Sequence, residues 1–382
     1  MKIAIIINSD VGAGQTIGAR AFPIIQELQR SGLHTVTIFA RGATAEAARS
    51  ATIVYPVPGG RFLMRALTAI QIYTKAHHRL NTLKTRIFEF WVLRYFRRHK
   101  TPNNIDVVML FDFLPRTVQA IHQSNPRVRI IQDVPIALPT VYELLDDPGR
   151  FFSSQERGVP EYIQQALPFI HEYIVPSEIT KKSLRRAGVQ NTPIHIVPFG
   201  VDSKKFQPLP KKPPTPFCVA FAGNINFRKG ISYVLDAWEQ LSLPDVELHL
   251  YGRLYPEVQQ RVHNAAASVI HHGFVPLSKE LPKNHLYVFP SLQEGSAKSV
   301  YEALACGLPV ITTEHAGSIV RDGIDGRIIP IQDSSAIVAA IQELYYNRQR
   351  VDAMSRAARQ RAQEYTWQRY AKGVVAVLTQ QQ

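Results

Sequence analysis

Residues 285–313 read HLYVFPSLQEGSAKSVYEALACGLPVITT, and this stretch decides the fold. The apolar run 285–290 predicts a buried strand. Residues 291–296 predict a loop, and residues 297–306 predict a helix that Gly307 ends. A strand that leads through a short loop into a helix is typical of an α/β fold with a parallel sheet, whose ligands bind at the carboxyl edge of the strands. The stretch therefore predicts both the fold class and a binding site in its loop.

The same alternation of apolar and amphipathic segments runs through the whole 382-residue chain. Further apolar runs that predict strands lie at 3–7, 35–39, 105–110, 128–131, 173–175, 217–221, 246–251, 269–272, 310–312 and 327–330. Residues 203–216 interrupt the pattern with five prolines and four lysines, which predict a stiff linker. We therefore predict two Rossmann-like, doubly wound domains facing each other across a cleft, one over residues 1–202 and one over 217–364.

Two glutamates flank the start of the helix predicted in the opening stretch. Glu294 lies in the loop before the helix, and Glu302 lies about a turn and a half inside it. The N–H groups of Ser296, Ala297 and Lys298 at the helix start are expected to be free to bind a diphosphate. Glu302 can accept hydrogen bonds from ribose hydroxyls, and Glu294 can do the same for a sugar ring. Either glutamate alone is more simply a solvated acid, but the whole run favours a site.

A second strand, loop and helix are predicted in FAGNINFRKGISYVLDAW, residues 221–238. Arg228 and Lys229 come just before the helix, so they lie at the same edge of the sheet as Glu294. Cations in this place can neutralise a diphosphate and stabilise it as it leaves with extra negative charge. Arginine and lysine are ordinarily solvated, but the position of this pair facing the glutamate loop favours a role in binding.

Residues 294–310, EGSAKSVYEALACGLPV, resemble the motif E-G-x(6)-E-A-x-A-x-G-x-P-V of the retaining glycosyltransferases of family 4. Lys229-Gly230 matches a Lys-Gly pair of that family, whereas Asn224 stands where its members often carry arginine. The resemblance extends over nearly all of the chain from residue 173 onward and is thinner before it.

This resemblance implies a GT-B fold and retaining transfer of a sugar from a nucleoside diphosphate to a glycan or lipid-linked acceptor. It also implies that residues 365–382 form a helix crossing back to the first domain. The candidate catalytic residues are Glu294, Lys229, Arg228 and Asp133. The candidate donor-binding residues are Gly14, Asn224, Gly295, Ser296, Ala297, Lys298 and Glu302. No metal and no cofactor are expected, because the chain has no Asp-x-Asp pair and the nucleotide sugar is a substrate.

Two segments of the first domain bear on the same site. Gly14 lies in the loop DVGAGQT, residues 10–16, where glycines allow a close approach to a ligand. A plain turn explains this loop equally well, and its spacing does not favour a nicotinamide cofactor. Family members often carry a histidine after a strand in the middle of this domain, where this chain reads IIQDVP with Gln132 and Asp133. Asp133 is thus a candidate for the group near the reacting carbon, or simply a turn cap.

The net charge of +14 is concentrated unevenly along the chain. Residues 59–100 hold ten lysines and arginines and a single acid, Glu89, interspersed with apolar and aromatic residues at helical spacing. Such a segment predicts docking on an anionic membrane surface, although a core-packed helix with a solvated outer face has the same pattern. No motif of a nucleic-acid-binding protein accompanies the charge, so nucleic acid is not expected as a partner.

Cys218 and Cys306 form neither a disulfide framework nor a metal pattern, which favours a reducing compartment. The apolar run at the N-terminus is too short for a secretory signal, so we expect a cytoplasmic protein, peripheral to the membrane if the basic segment docks there. Two alternatives stay open at this point. One is a nucleotide-sugar epimerase of the same architecture, and the other is a sugar-nucleotide-binding protein without catalytic activity.

Overall fold

The structure, a computed structural model, describes residues 1–12, 17–32, 34–57, 77–99, 104–138, 159–210 and 215–380. Within these residues the first half of the chain forms a parallel sheet of seven strands in the order β3-β2-β1-β4-β5-β6-β7. Its strands are β1 (Lys2–Val11), β2 (Thr35–Ala43), β3 (Thr52–Val54), β4 (Val107–Leu110), β5 (Arg129–Asp133), β6 (Glu172–Val175) and β7 (Ile194–Ile196). Its helices are α1 (Ile17–Ser31), α2 (Ala45–Ser50), α3 (His77–His99), α4 (Pro115–Ser124), α5 (Glu161–Ala166) and α6 (Glu178–Arg186).

The second half repeats this arrangement with six parallel strands in the order β10-β9-β8-β11-β12-β13. The strands are β8 (Phe217–Ala222), β9 (Val246–Tyr251), β10 (Val269–Gly273), β11 (Leu286–Phe289), β12 (Val310–Thr313) and β13 (Gly326–Ile329). The helices are α7 (Ile231–Gln240), α8 (Pro256–His263), α9 (Leu277–Glu280), α10 (Lys298–Ala305), α11 (Ser334–Tyr346), α12 (Arg348–Gln363) and α13 (Trp367–Thr379). The predicted fold class, two Rossmann-like domains, is thereby confirmed.

The first strand shows why the first sheet is covered on both faces. Alternate side chains of a strand point to opposite faces. In β1, Ile3, Ile5 and Ile7 join one buried cluster, while Ala4 and Ile6 join another on the opposite face. An apolar residue at every position therefore requires helices on both sides of the sheet, as in other parallel α/β folds. β1 and β2 also run beyond the predicted residues, pairing again at Asp10 and Val11 after an irregularity.

The last helix returns from the second domain to the first. α13 packs against α1, and the ring of Tyr370 meets that of Phe199 edge to face at 5.8 Å. The segment before α13 crosses the segment that joins the domains, where the Val201 N–H donates to the Tyr365 carbonyl at 2.9 Å. At Gly200 a Cβ would lie 2.2 Å from the backbone nitrogen of Trp367, so only glycine fits this crossing. Among the described helices, each is too short or too polar to span a bilayer.

Candidate functional site

A cavity of about 800 Å³ lies between the two domains, at the carboxyl ends of their strands. The second domain supplies most of its wall, from the loops that follow β8, β9, β10 and β11. Among the described residues, the cationic ones on this wall are Arg20, Lys205, Lys229, Arg253 and Lys298. The acidic ones are Glu294 and Glu302. This excess of positive charge suits a ligand that carries more than one negative charge.

Glu294 and Lys229 are paired on the cavity wall. The Lys229 Nζ and the Arg228 Nη1 both donate to Oε1 of Glu294, the arginine at 2.8 Å. Arg228 lies behind the glutamate, where its guanidinium also donates to the carbonyl of Gln293, and Lys229 is the cation of this pair that reaches the cavity. The structure thus brings three of the predicted catalytic residues together and places Lys229, rather than Arg228, on the cavity wall.

The local sequence explains why Lys229 reaches the glutamate. The Asn226 side chain accepts a hydrogen bond from the Lys229 N–H at 3.1 Å and closes a single turn. Gly230 then starts α7 with a φ of +79°, and a Cβ there would lie 2.0 Å from the Pro290 carbonyl oxygen. Because glycine alone allows this approach, the loop before α7 touches the loop after β11.

Burial disfavours the charged form of Glu294, whose side chain is only 11% exposed. The charges of Lys229 and Arg228 and their hydrogen bonds outweigh this effect and hold the pKa of Glu294 below its ordinary value. The carboxylate is therefore ionised at neutral pH and can accept hydrogen bonds from a ligand's hydroxyl groups.

The start of α10 differs from the prediction. The helix begins at Lys298, with Ala297 as its N-cap residue. The expectation of a free Ala297 N–H was wrong, because this group donates to the Ala316 carbonyl at 3.0 Å. The loop after β12 thus backs the glutamate loop, and the Glu294 N–H is likewise held by the His315 carbonyl at 2.9 Å. The first-turn amides of Lys298 and Ser299 remain as the helix-end donors on the cavity wall.

Glu302 lines the cavity from inside α10 and is 9% exposed. Burial raises its pKa to about 6, while the nearby charges of Lys298 and Lys205 oppose the shift. The glutamate is therefore a buried hydrogen-bond acceptor whose ionisation costs free energy in the unliganded protein.

A pH dependence of stability follows from this raised pKa. The folded state binds more protons than the unfolded state between the ordinary pKa of 4.5 and the folded value of about 6. Stability is therefore lost as pH rises through this window and is level above it. Across this window the free energy of unfolding falls by about 2 kcal/mol. Glu302→Gln should remove this loss, so urea unfolding at pH 5 and pH 7.5 should show a smaller difference for the variant. An unchanged difference would contradict the prediction.

The opposite end of the cavity contains groups that the sequence analysis missed. Arg253 follows β9, and the exposed ring of Phe274 follows β10. Asn224 lies beside them after β8, as predicted for the donor site. Gly252 has a φ of +125°, and a Cβ there would lie 2.0 Å from the Gly223 carbonyl, which brings the ends of β8 and β9 together. The sequence signal that could have identified Arg253 is its position just after the predicted strand 246–251, in the run Tyr251-Gly252-Arg253.

Arg20 is a cation that the first domain contributes to the cavity wall. Its guanidinium is buried and pairs with the Asp133 carboxylate at 2.8 and 3.2 Å. The rings of Phe199 and Phe111 lie 5.1 and 5.5 Å from it. Asp133, predicted near the reacting carbon, therefore lies behind Arg20, and the structure brings the arginine to the cavity.

Gly295 lies where the two domains touch. A Cβ at this position would lie 1.9 Å from the Pro135 carbonyl oxygen. The Gly295 carbonyl accepts hydrogen bonds from the Ser177 and Thr180 hydroxyls, the second at 3.2 Å. Beside it, the Gln293 side chain donates to the carbonyl of Ala137 at 2.9 Å. We call these contacts the domain seam.

Two further donor-site predictions complete the picture. Ser296 lines the cavity, and its hydroxyl lies 2.8 Å from that of Tyr301. Gly14 lies outside the described residues. Lys205 was predicted only as part of the linker over residues 203–216. In the structure Lys205 and its neighbour Phe206 both border the cavity, and Phe206 is packed into the core.

Two family models match the chain. The model described as Glycosyltransferase Family 4 matches residues 19–205, and that described as Glycosyl transferases group 1 matches residues 216–347. The junction between the two matches falls in the segment that joins the two sheets, so each model corresponds to one domain.

Curated relatives resemble the chain over part of its length. The MMP alpha-(1->4)-mannosyltransferase of Mycolicibacterium hassiacum is 29% identical over 197 residues, which are 48% of this chain and 47% of that protein. The D-inositol 3-phosphate glycosyltransferase of Paenarthrobacter aurescens is 29% identical over 201 residues, 47% of this chain and 49% of that protein. The matched region spans about half the length of these relatives.

Solved structures share the whole architecture at low identity. The sucrose-phosphate synthase of Thermosynechococcus elongatus superposes with a TM-score of 0.75, 19% identity and coverage of 98% of both chains. Anabaena Alr3699/HepE in complex with UDP and glucose superposes with a TM-score of 0.67, 15% identity and coverage of 99% of both chains. With both domains matched by the family models and the fold shared throughout, the chain belongs to the family 4 type of glycosyltransferases and has their GT-B architecture.

Proposed function

We propose that this protein transfers a sugar from a nucleoside diphosphate to a lipid-linked or membrane-proximal glycan, with retention of anomeric configuration. The observation that carries the proposal is the cavity between the domains, where Lys229, Glu294 and Glu302 share one wall. Retention is supported by the motif of residues 294–310. A solved relative of the same fold, Alr3699/HepE, was crystallised with UDP and glucose.

The cavity offers one place for each part of such a donor. The ring of Phe274 and the backbone after β9 and β10 would hold the base, and Glu302 would accept hydrogen bonds from the ribose hydroxyls. Lys229 and the start of α10 would bind the diphosphate, and Glu294 would orient the sugar.

In this reaction the cations of the site would stabilise the leaving group. When the bond between the anomeric carbon and the diphosphate oxygen breaks, its electron pair stays on the diphosphate. The acceptor hydroxyl oxygen forms the new bond to that carbon, and the hydroxyl proton passes to the released diphosphate. Negative charge on the leaving group increases, so fixed cations bind it more strongly in the transition state than in the ground state. Lys229, held by Glu294, is such a cation.

Asp133 would then act through Arg20, as a positioning residue. Asp133→Ala leaves the arginine without its carboxylate, and we expect kcat to fall by about 10²-fold while donor affinity changes less, because the guanidinium loses its fixed position. Removing one partner of a buried ion pair also lowers stability by about 3–5 kcal/mol. Asp133→Ala and its matched variant must therefore be assayed at a temperature at which both are folded. Arg20→Ala is the matched variant.

A double-mutant cycle tests this route of action. If Asp133 works through Arg20, the double variant should be about as slow as Arg20→Ala alone. Multiplicative losses in kcat would show that Asp133 acts independently of the arginine.

The acceptor side of the proposal concerns α3. Of the segment 59–100, the structure describes residues 77–99, and side chains from residue 83 onward. Phe88 and Phe96, two aromatic residues of this segment, are buried and pack in the core of the first domain. Phe90 is exposed on the outer face of the helix.

Basic residues surround Phe90 on that outer face. Together with Phe90 they line a groove whose cationic members are Arg94, Arg97, Arg98 and Arg116. Each cation near an anionic lipid surface contributes about 1 kcal/mol. Co-sedimentation with vesicles of anionic lipid at low salt should therefore be strong and should weaken when Arg94, Arg97 and Arg98 are replaced by glutamine. Equal binding by this variant, or none by the wild type, would point to a soluble acceptor.

The experiment that tests the donor site is thermal unfolding with UDP, GDP, ADP, CMP and dTDP, for wild type and Glu302→Ala. Ligand at 100 times its dissociation constant stabilises the folded state by about 2.7 kcal/mol. One nucleotide should raise the melting temperature of the wild type and have little effect on the variant. If none does, the proposed donor site is wrong.

Product analysis then separates the candidate functions. Release of nucleotide only when acceptor is present supports transfer, and proton NMR of the product reads the anomeric configuration. Isomerisation of the donor alone would identify an epimerase, and tight binding without product would identify an inactive binding protein.

A further inference from the structure

A polar cluster on one face of the second sheet takes no part in the proposed transfer. Cys218 on β8 lies opposite Glu247 on β9 in the strand register. Glu247 and His249 are two residues apart and therefore point to the same face of the sheet. One ligand atom from each of these three residues, a thiol sulfur, a carboxylate oxygen and a ring nitrogen, lies within 4.8 Å of the other two.

The imidazole of His249 is held from both sides. Its Nε2 lies 2.9 Å from Oε2 of Glu247. Its Nδ1 lies 3.1 Å from Nε2 of His272 and 3.3 Å from the hydroxyl of Tyr251, which in turn accepts a hydrogen bond from Asn284 at 3.1 Å. A histidine that binds a metal through one nitrogen commonly has its other nitrogen held by such an outer partner, which fixes the ring.

The three ligand atoms form a selective set. Magnesium and calcium prefer oxygen ligands, whereas thiolate and imidazole together favour zinc. Zinc binds sulfur at about 2.3 Å and nitrogen or oxygen at about 2.0–2.2 Å, so tetrahedral ligand atoms lie roughly 3.5 Å apart. The three ligand atoms lie within 4.8 Å of one another, which is close to this spacing. All three residues are partly buried, so little further desolvation is needed.

We propose that Cys218, Glu247 and His249 bind a zinc ion, with His272 as the outer partner that orients His249. A metal there would tie β8 to β9 through its ligands and β10 to both through His272. The residues after His272, from Phe274 to Ser278, line the interdomain cavity, so the ion would also stiffen that wall. The proposal does not depend on the transferase activity, because the cluster lies on the sheet face rather than in the cavity wall that Lys229 and Glu294 form.

The test is a metal titration of the full chain. We expect one equivalent of Zn²⁺ to bind in competition with a chelating dye. One equivalent of Co²⁺ should give the near-ultraviolet charge-transfer band of a cobalt–thiolate bond. Cys218→Ser should abolish that band, and His249→Gln should weaken Zn²⁺ binding by at least about 100-fold. His272→Gln should weaken it by about 10–100-fold, the usual effect of losing an outer partner.

Matched variants keep the test interpretable. Cys306→Ala removes the other thiol and should leave the Co²⁺ band intact, and His271→Gln alters the next residue of the same strand and should leave the Zn²⁺ affinity unchanged. Melting temperatures without metal show whether each variant is folded, and Zn²⁺ should raise that of the wild type but not that of His249→Gln. Absence of binding, or a Co²⁺ band that persists in Cys218→Ser, would overturn the proposal.

Discussion

Replacing Lys229 with alanine should lower kcat by about 10²–10³-fold, the usual loss when one fixed group that stabilises transition-state charge is removed. The reason is geometric, because Lys229 is the cation of the Arg-Lys pair on the cavity wall and is held there by Glu294. Glu294 keeps its ion pair with Arg228 in the variant, so the glutamate stays ionised and the loop stays in place. The measurement is steady-state kinetics at saturating donor and acceptor.

Arg228→Ala is the matched control. Its guanidinium bonds Glu294 and the Gln293 carbonyl from behind, and its side chain is 27% exposed. A partly exposed ion pair contributes about 1 kcal/mol at most. We therefore expect kcat to fall by less than about tenfold. Equal losses of kcat in the two variants would show that Lys229 does not stabilise the leaving group more than Arg228 does. The proposed role of Lys229 would then be wrong.

Gly295→Ala should lower activity about as much as Lys229→Ala does, for a different reason. The added Cβ would lie 1.9 Å from the Pro135 carbonyl oxygen and 2.5 Å from the Cα of Ile136. These are backbone atoms, so relief requires the domains to move apart, which displaces Glu294 and Ser296 from the first domain. A displacement of about 1 Å is enough to lower turnover by roughly 10²-fold.

The seam variant should also change the shape of the protein. Small-angle X-ray scattering should show a larger radius of gyration for Gly295→Ala than for the wild type. Gly323→Ala is the control, since its φ of +74° gives backbone strain but its nearest contact lies 4.0 Å away. Loss of activity in both variants, or wild-type activity in Gly295→Ala, would contradict a role of the seam in catalysis.

The fold could be predicted because its signals are local. Every position of β1 from Ile3 to Ile7 is apolar and buried, and such runs recur at intervals that helices fill. Lys229 was found for the same reason, since it stands next to a glycine at the start of a helix. A parallel sheet then brings loops that are distant in the chain to one edge.

The rest of the site depends on contacts between domains, which have no local signal. Arg20 is one of two arginines in the amphipathic helix α1. Its place on the cavity wall depends on Asp133 and Phe199. Gly295 matched the family motif, but nothing near it in the chain indicates that Pro135 will be its neighbour. The proposed zinc ligands are hidden in a similar way, because Cys218 and His249 belong to different strands.

The crossing at Gly200 has a mechanical consequence. The chain passes between the domains twice, and the two passages are bonded to each other where the Val201 N–H meets the Tyr365 carbonyl. Rotation of the domains about this point would leave the hydrogen bond between the passages intact, whereas sliding or full separation would break it. The crossing would therefore serve as the pivot of any rotation between the domains.

The domain seam joins the two domains at a second place. Its hydrogen bonds join neutral groups, the Ser177 and Thr180 hydroxyls to the Gly295 carbonyl and the Gln293 amide to the Ala137 carbonyl. Bonds of this kind contribute about 1 kcal/mol each, so breaking these three would cost only about 3 kcal/mol. Because the glutamate loop takes part in the seam, any separation of the domains there would move Glu294 away from the first domain.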